Sequence, residues 1–263
     1  MDNSPRTLFI NSTLAYIAAF FITTFIHESG HFLAYVLAGA HPVLYHNYVQ
    51  ADGGLLSVPA RVAAALAGPM VSLIQGCVAW FFVARNRSSS AGGLLLLWLG
   101  LLGCVNAGGY LALTPLSAVG DTGKAAALLG LGLPVKILAA LAGAGILAAA
   151  VRGMGRRFAD FIPAGLDKPT REKHVYRVMF FPIIAGSAVQ VAFAFPAPVF
   201  LSILYPATSS FVIMSAFGMI LRSPGTGDGP GATGGRISRA LLILTLVAIV
   251  IDRLLTLGVR WPG

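Results

Sequence analysis

The segment His27-Glu28-Ser29-Gly30-His31 matches the pattern H-E-x-x-H. On an α-helix, residues four positions apart lie on one face, so both imidazoles can bind the same cation. A carboxylate beside them can take a proton from a metal-activated water, because zinc lowers the pKa of that water to about 7. The spacing therefore predicts a hydrolytic zinc site with His27 and His31 as ligands and Glu28 as general base.

A catalytic zinc ion also needs a third protein ligand and one open coordination position. Asp121 is the favoured candidate, because it follows an apolar stretch that ends near Leu113. The same residue could instead be the N-cap of a helix that begins near Thr122. Other residues that could supply the third ligand are His41, His46, Asp52 and Asp252.

Three amide side chains lie inside apolar stretches of the sequence: Asn106, Gln75 and Gln190. An amide N–H at such a position could donate to an oxyanion that develops during hydrolysis. It could equally form a hydrogen bond that holds two membrane helices together. We take Asn106 as the second candidate catalytic residue, alongside Glu28.

The composition is that of a membrane protein. Hydrophobic residues make up 57% of the 263 positions and charged residues only 10%, whereas soluble domains carry about 25% charged residues. The predicted fold class is an all-α polytopic membrane protein with about seven transmembrane helices, the fourth preceded by a short helix. The predicted helices are Leu8–Ala38, Ala60–Ala84, Gly93–Leu113, Leu133–Val151, Val175–Phe195, Val199–Leu221 and Ile237–Leu257.

The stretch 43–58, between the first two predicted helices, favours a short β-hairpin. Its first part is rich in Val and Tyr, which are typical of strands, and Asp52-Gly53-Gly54 is a turn signal. Leu55–Val58 is the predicted second strand. Unpaired backbone is not tolerated in lipid, so a membrane-associated hairpin must pack against protein or line a wet cavity. An ordinary interfacial loop is the alternative.

The net charge of +9 comes from basic residues that lie mostly between apolar stretches. This distribution argues against a nucleic-acid partner and indicates segments that face anionic lipid. The largest group falls in 152–177, which is predicted to be a loop at the membrane surface. If the N-terminus is cytoplasmic and all seven helices span, most of the 18 Lys and Arg residues lie on the cytoplasmic side.

Taken together, these motifs resemble the site-2 protease family of intramembrane zinc metallopeptidases. The resemblance covers about residues 20–125. It rests on the H-E-x-x-H helix, the hairpin segment that ends at Pro59, Ala67-Gly68-Pro69, and Pro115 followed by Asp121. The chain departs from the family pattern near Asp121, because Ala112 occupies the usual Asn position and Thr122 separates Asp121 from Gly123. Asn106 could compensate for the missing Asn.

The resemblance implies a three-helix metalloprotease core in 1–126 and accessory transmembrane helices in 127–263. It implies Zn²⁺ bound by His27, His31 and Asp121, with Glu28 as base. The expected partner is a membrane protein or peptide substrate, held as an added strand on the hairpin and cleaved in or near a transmembrane segment. The expected location is the cell membrane, in a multi-pass arrangement. The family places its active site toward the cytoplasm, opposite to the orientation that the basic residues favour.

Two other functions remain open from the sequence. The same histidines could serve a transporter or another metal-binding membrane protein that hydrolyses nothing, or the chain could be a regulatory pseudoprotease. The first alternative predicts metal flux without a need for Glu28, and the second predicts no bound zinc.

Overall fold

The computed structural model describes residues 4–52, 56–85, 89–197, 203, 208–224 and 236–261. Most of this chain is helical, with one small sheet. The helices are α1 (Ser4–Leu37), α2 (Val58–Arg85), α3 (Ala91–Leu113), α4 (Asp121–Leu128), α5 (Leu133–Met154), α6 (Lys168–Val175), α7 (Phe181–Phe193), α8 (Phe211–Met214), α9 (Phe217–Arg222) and α10 (Arg239–Leu255). The strands are β1 (Val43–Leu44), β2 (Val49–Gln50) and β3 (Val259–Arg260). A 3₁₀ segment, Gly155–Phe161, follows α5, and a π-helical segment, Tyr176–Phe180, joins α6 to α7.

Five helical stretches in the described residues are long and apolar enough to cross a membrane: Pro5–Leu37, Val58–Arg85, Ala91–Leu113, Leu133–Phe161 and Lys168–Phe193. The prediction of an all-α membrane protein is therefore confirmed, but the count of seven helices is wrong. The sixth predicted helix lies partly outside the described residues, and its described part contains the short helices α8 and α9. The seventh is α10, whose 17 residues extend about 26 Å, less than the ~30 Å hydrocarbon core of a bilayer.

α1 is the central helix and packs against α2, α3, α7 and α10. Glycines allow the helices around it to approach closely. A Cβ atom at Gly103 on α3 would lie 2.6 Å from the carbonyl oxygen of Ser72 on α2, and one at Gly143 on α5 would lie 2.5 Å from that of Gly108 on α3. Close backbone approach of this kind is how membrane helices gain packing energy where hydrophobic burial contributes little.

Buried hydrogen bonds fasten the first half of α1 to its neighbours. The Trp98 indole N–H on α3 donates to the Ser12 hydroxyl at 3.0 Å, and Ser12 donates to the carbonyl oxygen of Val178 at 2.5 Å. Tyr16 donates to Ser210 at 2.6 Å and lies 3.1 Å from the Ser187 hydroxyl of α7. These contacts hold α7 and the π-helical segment before it against α1.

A β-hairpin follows α1, as predicted, but its second strand is not the predicted one. β1 pairs antiparallel with β2, with Val43 opposite Gln50 and Leu44 opposite Val49. The turn lies between Tyr45 and Tyr48, whose rings stack 4.4 Å apart and whose backbones share a 2.9 Å hydrogen bond. Val58, predicted to be in a strand, begins α2 instead, and 53–55 lie outside the described residues. The unpredicted strand β3 pairs with the other edge of β1.

The predicted surface loop at 152–177 is largely helical. Helical structure continues from α5 to Phe161 and resumes at Lys168, which leaves only 162–167 as a connection. One basic residue of the segment, Arg171, is buried. Its guanidinium donates to the carbonyl oxygens of Ile220 at 3.1 Å and Leu221 at 3.2 Å, and also to that of Ser223. Arg171 thus satisfies the free carbonyls at the end of α9, a typical use of a cation at a helix C-terminus.

Candidate metal centre

The side chains of His27, His31 and Asp121 converge at one point. The Nε2 atom of His27 lies 3.0 Å from Asp121 Oδ2 and 3.1 Å from His31 Nε2, and His31 Nε2 lies 3.3 Å from the same carboxylate oxygen. Ligands at about 2.0–2.1 Å from a tetrahedral zinc ion are separated by roughly 3.3 Å. The three atoms therefore form a triangle of the size that a small divalent cation requires, and this group could hold a metal ion.

Asp121 reaches this point because the start of α4 is hydrogen-bonded to the end of α3. The Thr122 hydroxyl donates to the carbonyl oxygen of Tyr110 at 2.6 Å and accepts from Thr114 at 2.8 Å, which fastens the first turn of α4 to α3. A Cβ atom at Gly123 would lie only 1.7 Å from the carbonyl oxygen of Ser117, so this position requires glycine. Thr122, which separates Asp121 from Gly123, therefore has a structural role here.

The carboxyl group of Asp121 lies in the first turn of α4, where the helix dipole favours a negative charge. Burial alone would raise the pKa of this carboxyl group. Hydrogen bonds with His27 and His31, together with the charges on their rings, outweigh burial and hold the pKa well below its usual range. Asp121 is therefore an ionised oxygen donor at neutral pH, as a metal ligand must be.

Helix α2 orients both imidazoles. The Nδ1 atom of His31 lies 2.7 Å from the carbonyl oxygen of Ala64, and the Nδ1 atom of His27 lies 3.1 Å from the Ser72 hydroxyl. Partners of this kind fix the ring orientation and leave Nε2 directed at the metal. Gly68 lies midway between them and leaves the space that the rings occupy. This arrangement was not predicted from the sequence, although small residues recur every four positions in α2, at Ala64, Gly68, Ser72 and Gly76.

The candidate metal-binding group, which consists of His27, His31 and Asp121, opens into a cavity of ≈ 270 Å³. Both predicted catalytic residues, Glu28 and Asn106, line it and are 8% and 5% exposed. The Asn106 Oδ1 atom has no hydrogen-bond partner among the described residues. Tyr110 also lines the cavity and stacks on the His27 ring, with ring centroids 5.3 Å apart. The cavity thus holds an acid–base group and an amide beside the metal-binding group.

The alternative third ligands lie elsewhere or are engaged. His41 and Asp52 are exposed. His46 and Asp252 also line the cavity, but the Nε2 atom of His46 lies 3.2 Å from the carbonyl oxygen of Ala194, and Asp252 accepts hydrogen bonds from Arg253. Within the part of the chain that the structure describes, Asp121 is the carboxylate that joins the two histidines.

The other two amides from the sequence analysis have different surroundings. The Gln75 amide N–H groups donate to the Thr23 hydroxyl at 2.7 Å and to the carbonyl oxygen of Leu99 at 3.0 Å, so Gln75 links α2 to α1 and α3. Gln190, on α7, lines the cavity instead.

The chain matches no protein-family model, no curated protein and no solved structure. What the site does must therefore follow from its own side chains.

Proposed function

We propose that the protein is an intramembrane zinc metalloprotease that resembles the site-2 protease family and hydrolyses a peptide bond in or near a transmembrane segment of a substrate protein. The observation that carries this proposal is the convergence of two Nε2 atoms and one carboxylate oxygen within 3.3 Å of one another. Two imidazoles and one carboxylate, with a fourth position open to a cavity, are a donor set typical of catalytic zinc.

The roles of the residues follow from where they lie. His27, His31 and Asp121 would hold the zinc ion. When bound, zinc supplies Lewis-acid activation of water and of the scissile carbonyl. Glu28 directly follows His27, lies three residues before His31, and lines the same cavity. From there it accepts the proton of the attacking water and passes it to the leaving amine. Asn106 donates an amide N–H to the oxyanion that develops on the substrate.

The hairpin supports the proposal from the substrate side. β1 lies between β2 and β3, so one edge of β2 has no partner strand among the described residues. Tyr48 and Val49, at the start of that edge, line the cavity. A helical substrate must unwind before its peptide bonds can be cut, and an added strand on β2 would hold it extended beside Glu28. We infer a multi-pass arrangement in the cell membrane, with a membrane protein as substrate.

The test compares the wild type with Glu28→Gln and Asp121→Ala, each purified in full length and reconstituted in liposomes. Elemental analysis should find one zinc ion in the wild type and in Glu28→Gln, and a clear loss in Asp121→Ala. Cleavage of a panel of fluorogenic transmembrane peptides should fall by at least a hundred-fold in Glu28→Gln, because the general base is lost. Wild-type protein without zinc would contradict the proposal. Cleavage that survives Glu28→Gln would do the same, and zinc flux without cleavage would favour a transporter.

A further inference from the structure

A second group of polar side chains lies on the cavity wall that the accessory helix α7 and the hairpin turn supply. It consists of Gln190, His46 and Asn47, all of which line the cavity. Each has a buried polar atom without a hydrogen-bond partner in the described part of the chain: both amide atoms of Gln190, His46 Nδ1 and Asn47 Oδ1. We propose that this group is a binding subsite for the main chain of an extended peptide. This inference rests on the proposed protease function and names the groups that hold its substrate.

The three residues are fixed close to one another. Gln190 and Ala194 are one helical turn apart at the end of α7. The carbonyl oxygen of Ala194 accepts from the Asn47 amide at 3.0 Å and lies 3.2 Å from His46 Nε2. The hairpin turn is therefore attached one turn from Gln190. The edge of β2 that has no partner strand in the described part of the chain begins only two residues after Asn47, and Val49 lines the same cavity as Gln190. We therefore expect a chain that adds to that edge to run past the Gln190 carboxamide.

A contact from the end of α10 holds this arrangement. The Arg253 guanidinium donates to the carbonyl oxygen of Phe195 at 2.8 Å and also to that of Phe193, just after and at the end of α7. Arg253 is itself held by Asp252 at 2.5–2.9 Å. The carbonyls at the end of α7 are thereby satisfied. The side-chain groups of Gln190, His46 and Asn47 that remain unpaired belong to residues that line the cavity.

Gln190 is the member of the group with the least evident structural role. It is 2% exposed. The Tyr16 hydroxyl is close enough to interact with the Gln190 carboxamide, but the contact lacks hydrogen-bond geometry, and that hydroxyl donates to Ser210 and is shared with Ser187. A buried amide without well-formed hydrogen bonds destabilises the folded protein. Such a group is expected at a functional site, where a ligand completes its hydrogen bonds.

The chemistry of the wall indicates the class of ligand. A carboxamide offers one acceptor and one donor side by side, the same pair that a peptide group offers in return. The charged groups nearby, Asp252 and Arg253, are paired with each other, so the subsite favours a neutral ligand. Phe20, Phe21 and Phe193 line the same cavity and suit apolar side chains. A peptide with apolar residues satisfies both features.

Two metal-binding probes of different length distinguish binding at the subsite from binding at the metal centre. Acetohydroxamate can bind the zinc ion and reaches no further, whereas N-acetyl-dileucine hydroxamate carries main-chain peptide groups past it. Calorimetry on zinc-loaded full-length protein should show that Gln190→Met weakens the dileucine probe about ten-fold or more, the effect of losing one or two hydrogen bonds. The affinity for acetohydroxamate and the zinc content should not change.

Gln75→Met is the matched control, because Gln75 is a membrane-helix glutamine that makes two hydrogen bonds and lies away from the cavity. It should lower the melting temperature and leave both probe affinities unchanged. Gln190→Met should leave the melting temperature equal or higher, because it removes an unpaired buried amide.

Three results would overturn the inference. The first is that Gln190→Met and wild type bind the dileucine probe with equal affinity. The second is that Gln190→Met loses affinity for both probes to the same extent, and the third is that its melting temperature falls as that of Gln75→Met does. The first result would mean that only water occupies the subsite. A wild-type protein that holds no zinc and binds neither probe would instead refute the proposed function itself, so the two failures are distinguishable.

Discussion

Gly68 on α2 is the position where the smallest change should have the largest effect on the metal centre. A Cβ atom added there would lie 2.3 Å from His31 Nε2, 2.6 Å from His31 Cε1 and 2.8 Å from His27 Nε2. The two nitrogens are the proposed metal ligands. Gly68→Ala therefore places a methyl group against the ligand atoms without removing any polar group.

The magnitude follows from these distances. Real Cβ atoms essentially never approach another atom closer than 3.0 Å, so the His31 ring must move by ~0.7 Å or more, whereas metal–ligand distances tolerate only about ±0.2 Å. The Ala64 carbonyl, which bonds Nδ1 at 2.7 Å, opposes that movement. Loss of an outer partner of a ligand usually costs 10–100-fold in metal affinity. Because both imidazoles are displaced here, we expect a loss of at least about a hundred-fold.

The assay measures zinc content after dialysis against a graded series of chelator concentrations, with the helical circular dichroism of the same samples. Gly145→Ala is the matched control, because Gly145 also lies within a long apolar helix but a Cβ atom there would meet nothing within 4 Å. Alanine is favoured over glycine in a helix by about 1 kcal/mol, so both variants should keep their helicity. Wild-type zinc affinity in Gly68→Ala would refute the packing of α2 against the two imidazoles.

Two further predictions concern the surroundings of the site, and a third concerns the orientation of the chain in the membrane. Ser72→Ala removes the partner of His27 Nδ1 and should lower zinc affinity about ten-fold or more, measured by the same dialysis; an unchanged affinity would mean that Ser72 does not orient the ring. Burial lowers the pKa of His46 from its usual 6.5; the unfolded chain then binds more protons below that pH, so stability should fall as the pH drops below about 6.5. His46→Asn should reduce this fall in melting temperature between pH 7 and pH 5, and an unaltered slope would exclude His46 as its source. The positive-inside rule predicts that the 162–167 connection lies in the cytoplasm, opposite to the orientation that the family resemblance implies, so green fluorescent protein inserted there should fluoresce; a dark fusion together with an active phosphatase fusion would favour the orientation of the family.

Much of the fold could be predicted from local features of the sequence. The first three helices begin within four residues and end within one residue of their predicted bounds, because long apolar stretches bounded by polar residues mark membrane helices. The later chain was harder to predict. The basic stretch 152–177 is mostly helical, and one of its basic residues, Arg171, turns inward to bond the end of α9. A partner some 50 residues away leaves no local signal.

The hairpin is a second place where tertiary contacts, which leave no local signal in the sequence, decide the structure. Val43 and Val49 lie in the paired strands, as their β-propensity suggests. The pairing partner was misassigned because Asp52-Gly53-Gly54 is a stronger turn signal than His46-Asn47. The observed turn is stabilised by tertiary contacts instead, since both His46 and Asn47 meet the carbonyl oxygen of Ala194 at the end of α7. Strand β3 comes from the far end of the chain, where nothing in the sequence indicates a partner.

The sequence by itself determined the chemistry available at the site, because the spacing of His27, Glu28 and His31 on one helix is a local property with a 3.6-residue period. It could only nominate Asp121, since a ligand 90 residues further along the chain is brought in by packing. Tertiary structure alone decided the rest: α2 supplies Ala64, Gly68 and Ser72 against the two rings, and α7 brings Gln190 to the same cavity. Those positions depend on which helix faces meet, and that is fixed by the whole bundle rather than by any one segment.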